Sequence, residues 1–123
     1  MSTVMVVDDS PTLRAMIAEV LSRYGLTVVE ACDGVDAKEK IQANCPDLVI
    51  MDVVMPRMNG YELCRWVKGE PKSENVPVIM CTTKSEDFDR HWAMRQKADA
   101  YITKPFQPTE LITKVKELLK QSV

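Results

Sequence analysis

Four short polar words carry the chemistry of this chain. Asp8-Asp9 ends the apolar run Val4-Met5-Val6-Val7, and Asp52 ends Leu48-Val49-Ile50-Met51. Thr82-Thr83 ends Val78-Ile79-Met80-Cys81, and Lys104-Pro105 follows Tyr101-Ile102. Carboxylates brought together repel one another, and a divalent cation relieves that repulsion. Mg²⁺ takes about six oxygen ligands and usually keeps some waters, so Asp8, Asp9 and Asp52 are its candidate ligands. A carboxylate can also attack phosphorus and form an acyl phosphate, which makes Asp52 the candidate nucleophile. Thr82 offers a hydroxyl to a phosphoryl oxygen. Lys104 offers a cation that could pair with the acids at rest and with the phosphoryl group afterwards. Taken singly, each Asp is an ordinary cap or turn residue, and Lys104 an ordinary loop lysine. Their convergence is what would make a site. A cis bond before Pro105 would aim the lysine inward, but trans is the usual form and the expectation here.

Convergence needs a scaffold. Apolar runs of this length between helical patterns read as buried parallel strands. Open parallel sheets bind ligands beyond the carboxyl ends of their strands, so the four words should meet on one rim. Between the runs the pattern turns helical. Leu13, Met16, Ile17, Val20, Leu21 and Tyr24 form one apolar stripe after the cap Ser10-Pro11, and Gly25 ends that helix. Leu26 to Val29 reads as the second strand. Gly34 opens a helix to about Asn44 with Ala37 and Ile41 inward. A third helix is expected from about Tyr61 to Lys68, burying Leu63, Cys64 and Val67. A fourth, from about Glu86 to Lys97, shows only Phe88, Trp92 and Ala93 as an apolar face, with Trp92 expected to pack on the sheet. Strand five is Ala100 to Ile102. The last helix, Pro108 to about Gln121, carries Leu111, Ile112, Val115, Leu118 and Leu119 on one side. Alternating strands and helices imply right-handed crossovers and a parallel sheet covered on both faces, an α/β doubly wound fold.

Composition narrows the options. A chain of 123 residues suits one domain, with no room for an output domain. A net charge of −2 argues against a broad basic surface for nucleic acid, and no helix-turn-helix module is evident. No apolar stretch approaches a membrane span, and no signal segment precedes the first strand, so a soluble cytoplasmic protein is expected. Cys32, Cys45, Cys64 and Cys81 lack C-x-x-C spacing and are expected as reduced, buried or half-buried apolar residues.

Together, Val-Val-Asp8-Asp9-Ser10, Met51-Asp52-Val-Val-Met-Pro56, Met58-Asn59-Gly60, Cys81-Thr82-Thr83-Lys84 and Tyr101-Ile-Thr-Lys104-Pro105-Phe106 resemble a family. The chain is similar, over essentially its whole length, to the receiver domain of two-component response regulators in its stand-alone, CheY-like form. The resemblance implies a (βα)5 flavodoxin-like sheet of strand order 2-1-3-4-5. It implies that Asp52 takes a phosphoryl group from a histidine kinase phosphohistidine. It implies that Asp8, Asp9, Asp52 and the backbone carbonyl of Val54 hold Mg²⁺, and that Thr82 and Lys104 bind the phosphoryl oxygens. Tyr101 resembles the family's switch aromatic, turning as Thr82 is drawn to the phosphate. The surface of the fourth helix, fifth strand and fifth helix would then change its preference for a downstream protein, as a monomer or transient dimer. Self-catalysed phosphorylation and slow hydrolysis would be its only enzymology. Thr82-Thr83-Lys84 with Asp89, His91-Trp92, Arg95-Gln96 and Tyr101 is also similar to regulators of type IV pilus twitching and phototaxis.

Departures bear on lifetime and switching. Val54 is apolar where many relatives carry a polar residue near the hydrolytic water. Thr83 is bulkier than the usual Ala or Gly, and Lys84 stands where an acid often sits. His91 reads as a solvated helix residue. Two other functions share part of the pattern. An aspartyl-phosphate phosphohydrolase would want a second acid at Val54 and a substrate cap. A flavodoxin-like cofactor binder would want a Gly/Ser/Thr-rich loop where Asp8-Asp9 stands. A P-loop is absent. Within the receiver reading, driving an output and draining a shared kinase both stay open.

Overall fold

A computed structural model describes residues 2–120. Strands β1 (Thr3–Val7), β2 (Thr27–Ala31), β3 (Leu48–Met51), β4 (Val78–Thr82) and β5 (Ala100–Thr103) alternate with five helices. These are α1 (Pro11–Arg23), α2 (Gly34–Ala43), α3 (Gly60–Gly69), α4 (Asp87–Arg95) and α5 (Pro108–Leu118). All strand pairs are parallel and the order is β2-β1-β3-β4-β5, as the resemblance implied. The expected end of the last helix, Gln121, lies outside the described residues. No helix among them is long and apolar enough to cross a membrane.

Strand alternation sorts the core into two layers. Met5, Val7, Val49, Met51, Val78 and Met80 face Ala37, Ile41, Leu63, Cys64, Val67 and Ala93, from α2, α3 and α4. Val4, Val6, Leu48, Ile50, Ile79 and Cys81 face Ile17, Leu21, Leu111, Ile112 and Val115, from α1 and α5. β1, β3 and β4 are therefore apolar almost throughout, because both faces are covered.

Several expected features shift. β2 runs on to Ala31, because an edge strand can turn Glu30 to solvent, where it meets Arg14 Nε at 2.9 Å. In α1 only Ile17 and Leu21 are fully buried, while Met16 and Tyr24 are exposed. α4 ends at Arg95, because Lys97 takes φ 70° and the Ala98 N–H reaches back to the Ala93 carbonyl. Its inward face is not the expected one. Asp89, Ala93 and Gln96 fall on the buried side, which turns Phe88 and Trp92 outward at 69% and 47% exposure. Trp92 therefore does not pack on the sheet, while His91 is solvated as expected. All four cysteines are free, with Cys64 and Cys81 buried and Cys45 half-buried. Burial pushes the Cys64 and Cys81 thiols up to about 12. Cys32, expected inside, is exposed, because it lies past the end of the edge strand.

Gly60 opens α3 where the chain must pass tightly. Its N–H donates to the Val53 carbonyl at 2.8 Å, and a Cβ there would run into the backbone oxygen of Asp52. Gly69, at the other end of α3, has open space around a built Cβ. Ala usually gains roughly 0.5–1 kcal/mol over Gly in a helix. Gly69→Ala should therefore be neutral or stabilising in urea unfolding, whereas Gly60→Ala should cost about 1–3 kcal/mol by overpacking.

Candidate functional site

The rim is stitched by backbone hydrogen bonds that carry the sheet one residue past its strands. Asp8 N–H donates to Ala31 O at 3.1 Å, Asp52 N–H to Val7 O at 3.1 Å, and Lys104 N–H to Thr82 O at 2.8 Å. Since Val7 pairs with Met51 in register, Asp8 and Asp52 follow side by side. One carboxylate oxygen from each of Asp8, Asp9 and Asp52 lies within 4.8 Å of the others.

Lys104 reaches into this cluster. Its Nζ donates to Asp8 Oδ2 at 2.6 Å and to Asp52 Oδ2 at 3.2 Å, with the side chain only 7% exposed. Burial alone would lower its pKa, but the hydrogen bond to Asp8 and the charges of Asp52 and Asp8 outweigh it and raise the value overall. It stays an ammonium ion. The Lys104-Pro105 bond is cis, contrary to the trans expectation. Asp8 is buried and uses its other oxygen to accept the Ser10 N–H at 2.9 Å. Asp52 is half-buried and accepts the Val54 N–H at 3.3 Å. Asp9 is exposed, with no side-chain partner among the described residues.

Three carboxylates and one ammonium leave two negative charges, which a divalent cation would balance. The donors are all hard oxygens and one of them, on Asp9, is disengaged. The residues present thus fit Mg²⁺.

Thr82 and Tyr101 meet through one peptide. Thr82 is fully buried, and its Oγ1 accepts the Lys84 N–H at 3.4 Å, a long bond. The Tyr101 hydroxyl donates to the Lys84 carbonyl at 2.8 Å. Tyr101 is half-buried, and burial pushes its phenol up to about 12. The Arg90 guanidinium lies 5.0 Å from its ring centroid and donates to Thr103 Oγ1 at 2.8 Å. Val54 lies beside Asp52 and is 56% exposed.

The expected residues Asp8, Asp9, Asp52, Thr82 and Lys104 thus gather at one end of the sheet. Sequence reading missed three supports. Arg14 Nη1 donates to the Asp8 carbonyl at 2.7 Å, pinning the end of β1. Asp33 caps α2 by accepting the Asp36 N–H, and also takes two hydrogen bonds from Arg57, at 2.7 and 3.0 Å. Arg57 sits in the loop after β3 at φ 65°, a conformation few side chains adopt. No periodicity marks this pair. The only signal is the Asp33-Gly34 cap itself.

Comparison with known proteins agrees with this architecture. Residues 4–116 match the response regulator receiver domain family. Protein PilG of Pseudomonas aeruginosa is 38% identical over 113 residues, covering 92% of this chain and 84% of PilG. Protein PilH of the same organism is 34% identical over 119 residues, covering 97% of this chain and 98% of PilH. The chain spans about half the length of other curated relatives that it matches. Among solved structures, the signal receiver domain of a signal transduction histidine kinase from Syntrophus aciditrophicus superposes with a TM-score of 0.92. It shares 37% identity, over 98% of this chain and 91% of that one.

The Asp33–Arg57 pair ties the loop after Asp52 to the start of α2, and it has a pH signature. The hydrogen bonds from Arg57 hold the Asp33 carboxyl below its ordinary range, against burial and with help from the Asp36 N–H. A depressed folded pKa contributes stability above the unfolded value of about 3.9, and that contribution fades as pH falls through the folded value. Arg57→Ala should therefore lower the urea midpoint near pH 6, and its difference from wild type should shrink toward pH 3.

Proposed function

The chain belongs to the response regulator receiver domain family, and on that premise we propose that Asp52 is the phosphoacceptor of a two-component system. The observation that carries this reading is the single lysine shared by Asp8 and Asp52 at the end of two neighbouring strands. In the proposed transfer, an Asp52 oxygen attacks the phosphorus of a kinase phosphohistidine. A new O–P bond forms, the P–N bond breaks, and the imidazole nitrogen keeps the electron pair. The Asp52 side chain keeps some access to a donor, at 14% exposure against 3% for Asp8. Asp8, Asp9, Asp52 and the Val54 carbonyl would hold Mg²⁺, which would supply positive charge for the oxygens of the transferring group. Lys104 gives up its contact with Asp52 and binds a phosphoryl oxygen, keeping one charge-assisted bond throughout.

The readout begins at Thr82. Its hydroxyl holds the Lys84 N–H by a long bond, so turning to donate to a phosphoryl oxygen costs little. Tyr101 grips the carbonyl of the same residue. A shift of the Lys84 peptide therefore passes from Thr82 to Tyr101 and on to Arg90 of α4. The outward Phe88 and Trp92 of α4 give the changed surface apolar contacts for a downstream protein. The resemblance of Thr82-Thr83-Lys84, Asp89, His91-Trp92, Arg95-Gln96 and Tyr101 to regulators of pilus twitching and phototaxis supports a role in motility.

Incubation with Mg²⁺ and acetyl phosphate or phosphoramidate, followed by intact mass, should show one added phosphoryl group. Asp52→Asn or EDTA should abolish it. An adduct that persists in Asp52→Asn would overturn the assignment.

Val54 also sets an expectation for lifetime. Its exposed isopropyl group offers no hydrogen bond to a water that would attack the phosphoaspartate. Val54→Asn should shorten phosphoryl lifetime several-fold, measured by loss of the adduct over time after donor removal.

A further inference from the structure

At the end of the sheet opposite the rim, α3 and α4 finish beside one another around a cleft of about 300 Å³. Arg65, Lys68, Arg95 and Lys97 line it with Gly69 and Gln96. This is a dense cationic patch on a chain whose net charge is −2. One of the four is spoken for: Lys68 Nζ donates to Asp99 Oδ2 at 2.8 Å and to the Val76 carbonyl at 2.9 Å. Arg65 has only a long contact, 3.4 Å, with the Gln96 side-chain oxygen. The side chains of Arg95 and Lys97 have no hydrogen bond or ion pair among the described residues. The Gln96 amide nitrogen is likewise uncommitted, although the residue is nine-tenths buried.

Helix C-termini attract cations, which accounts for Lys68 and Arg95 in the last turns. It does not account for Arg65 in the middle of α3 or for Lys97 beyond α4, where the chain turns at φ 70°. The cleft therefore presents several donors and almost no compensating acid.

We infer that this cleft is a docking site for an acidic segment of a partner protein, whose carboxylates engage Arg65, Arg95, Lys97 and the Gln96 amide. Acidic residues outnumber basic ones over the chain, 18 to 16, which argues for an acidic peptide segment over a nucleic acid as the partner. Because helix C-termini lie at the strand N-termini, a partner bound here leaves Asp52 open. Docking and phosphoryl transfer are compatible on one molecule.

The test is a titration of the ¹⁵N-labelled chain with a hexaglutamate peptide, followed by amide shifts. Shifts should concentrate at residues 65–69 and 95–98 and weaken as salt is raised, since the Debye length falls to about 8 Å at physiological ionic strength. The Arg95→Glu/Lys97→Glu variant should bind at least about tenfold more weakly, and Arg65→Glu separately should also lose affinity. Both carry exposed substitutions outside the phosphoryl site, and an unchanged spectrum elsewhere shows that they fold. A hexalysine peptide should leave the cleft unmoved. Shifts spread over the whole surface, or equal binding by the charge-reversed variants, would overturn the proposal. So would inorganic phosphate binding the cleft as tightly as the peptide, which would mark a plain anion site.

Discussion

One ammonium group shared by two carboxylates organises this molecule. Lys104 arrives from the fifth strand, Asp8 from the first and Asp52 from the third, and their contacts of 2.6 and 3.2 Å close the top of the sheet. Burying like charges together is costly unless each finds a partner. Here the cost is lowered by the lysine and by backbone donors from Ser10 and Val54. A net negative charge remains, because the carboxylate of the exposed Asp9 is disengaged. That residual negative charge is what would draw a divalent cation to the rim.

The rest of the fold serves this placement. Parallel strands put all their carboxyl ends on one side, and register between Val7 and Met51 sets the two acids level. Helices on both faces make the sheet stiff enough to hold them, since β1, β3 and β4 are buried almost throughout. The loop after β3 cannot wander. Gly60 lies against the Asp52 backbone, and Arg57 is clasped by Asp33. Positioning of Asp52 thus depends on residues outside the carboxylate cluster itself.

Much of this was legible in the residues themselves. Strand ends are marked by abrupt changes from apolar to charged, so the meeting of Asp8, Asp52, Thr82 and Lys104 follows once the sheet is parallel. What sequence did not reveal was set by packing across distance. The face of α4 misleads, because Phe88 and Trp92 share a helical spacing as good as that of Asp89, Ala93 and Gln96. Only the contact of Tyr61 with the Asp89 carbonyl and the fit of Ala93 under the sheet decide between them. The Asp33–Arg57 clasp spans loops that no local period connects. The cis bond before Pro105 has no signature in a Lys-Pro pair.

α4 stands apart from the other helices in how little it shares with the core. Ala93 is its one buried apolar residue, Asp89 is the only other one buried, and the remaining seven are all exposed. Contacts with Tyr61, Tyr101 and Thr103 tether it from the side. Local opening free energy follows buried apolar contact, so this helix can come away while the sheet stays whole. Its amide protons would exchange with solvent through small subglobal excursions, whereas those of β1, β3 and β4 would wait for the entire chain to unfold. The protein is therefore two materials in one: a rigid frame that holds charge, and a lightly fastened leaf.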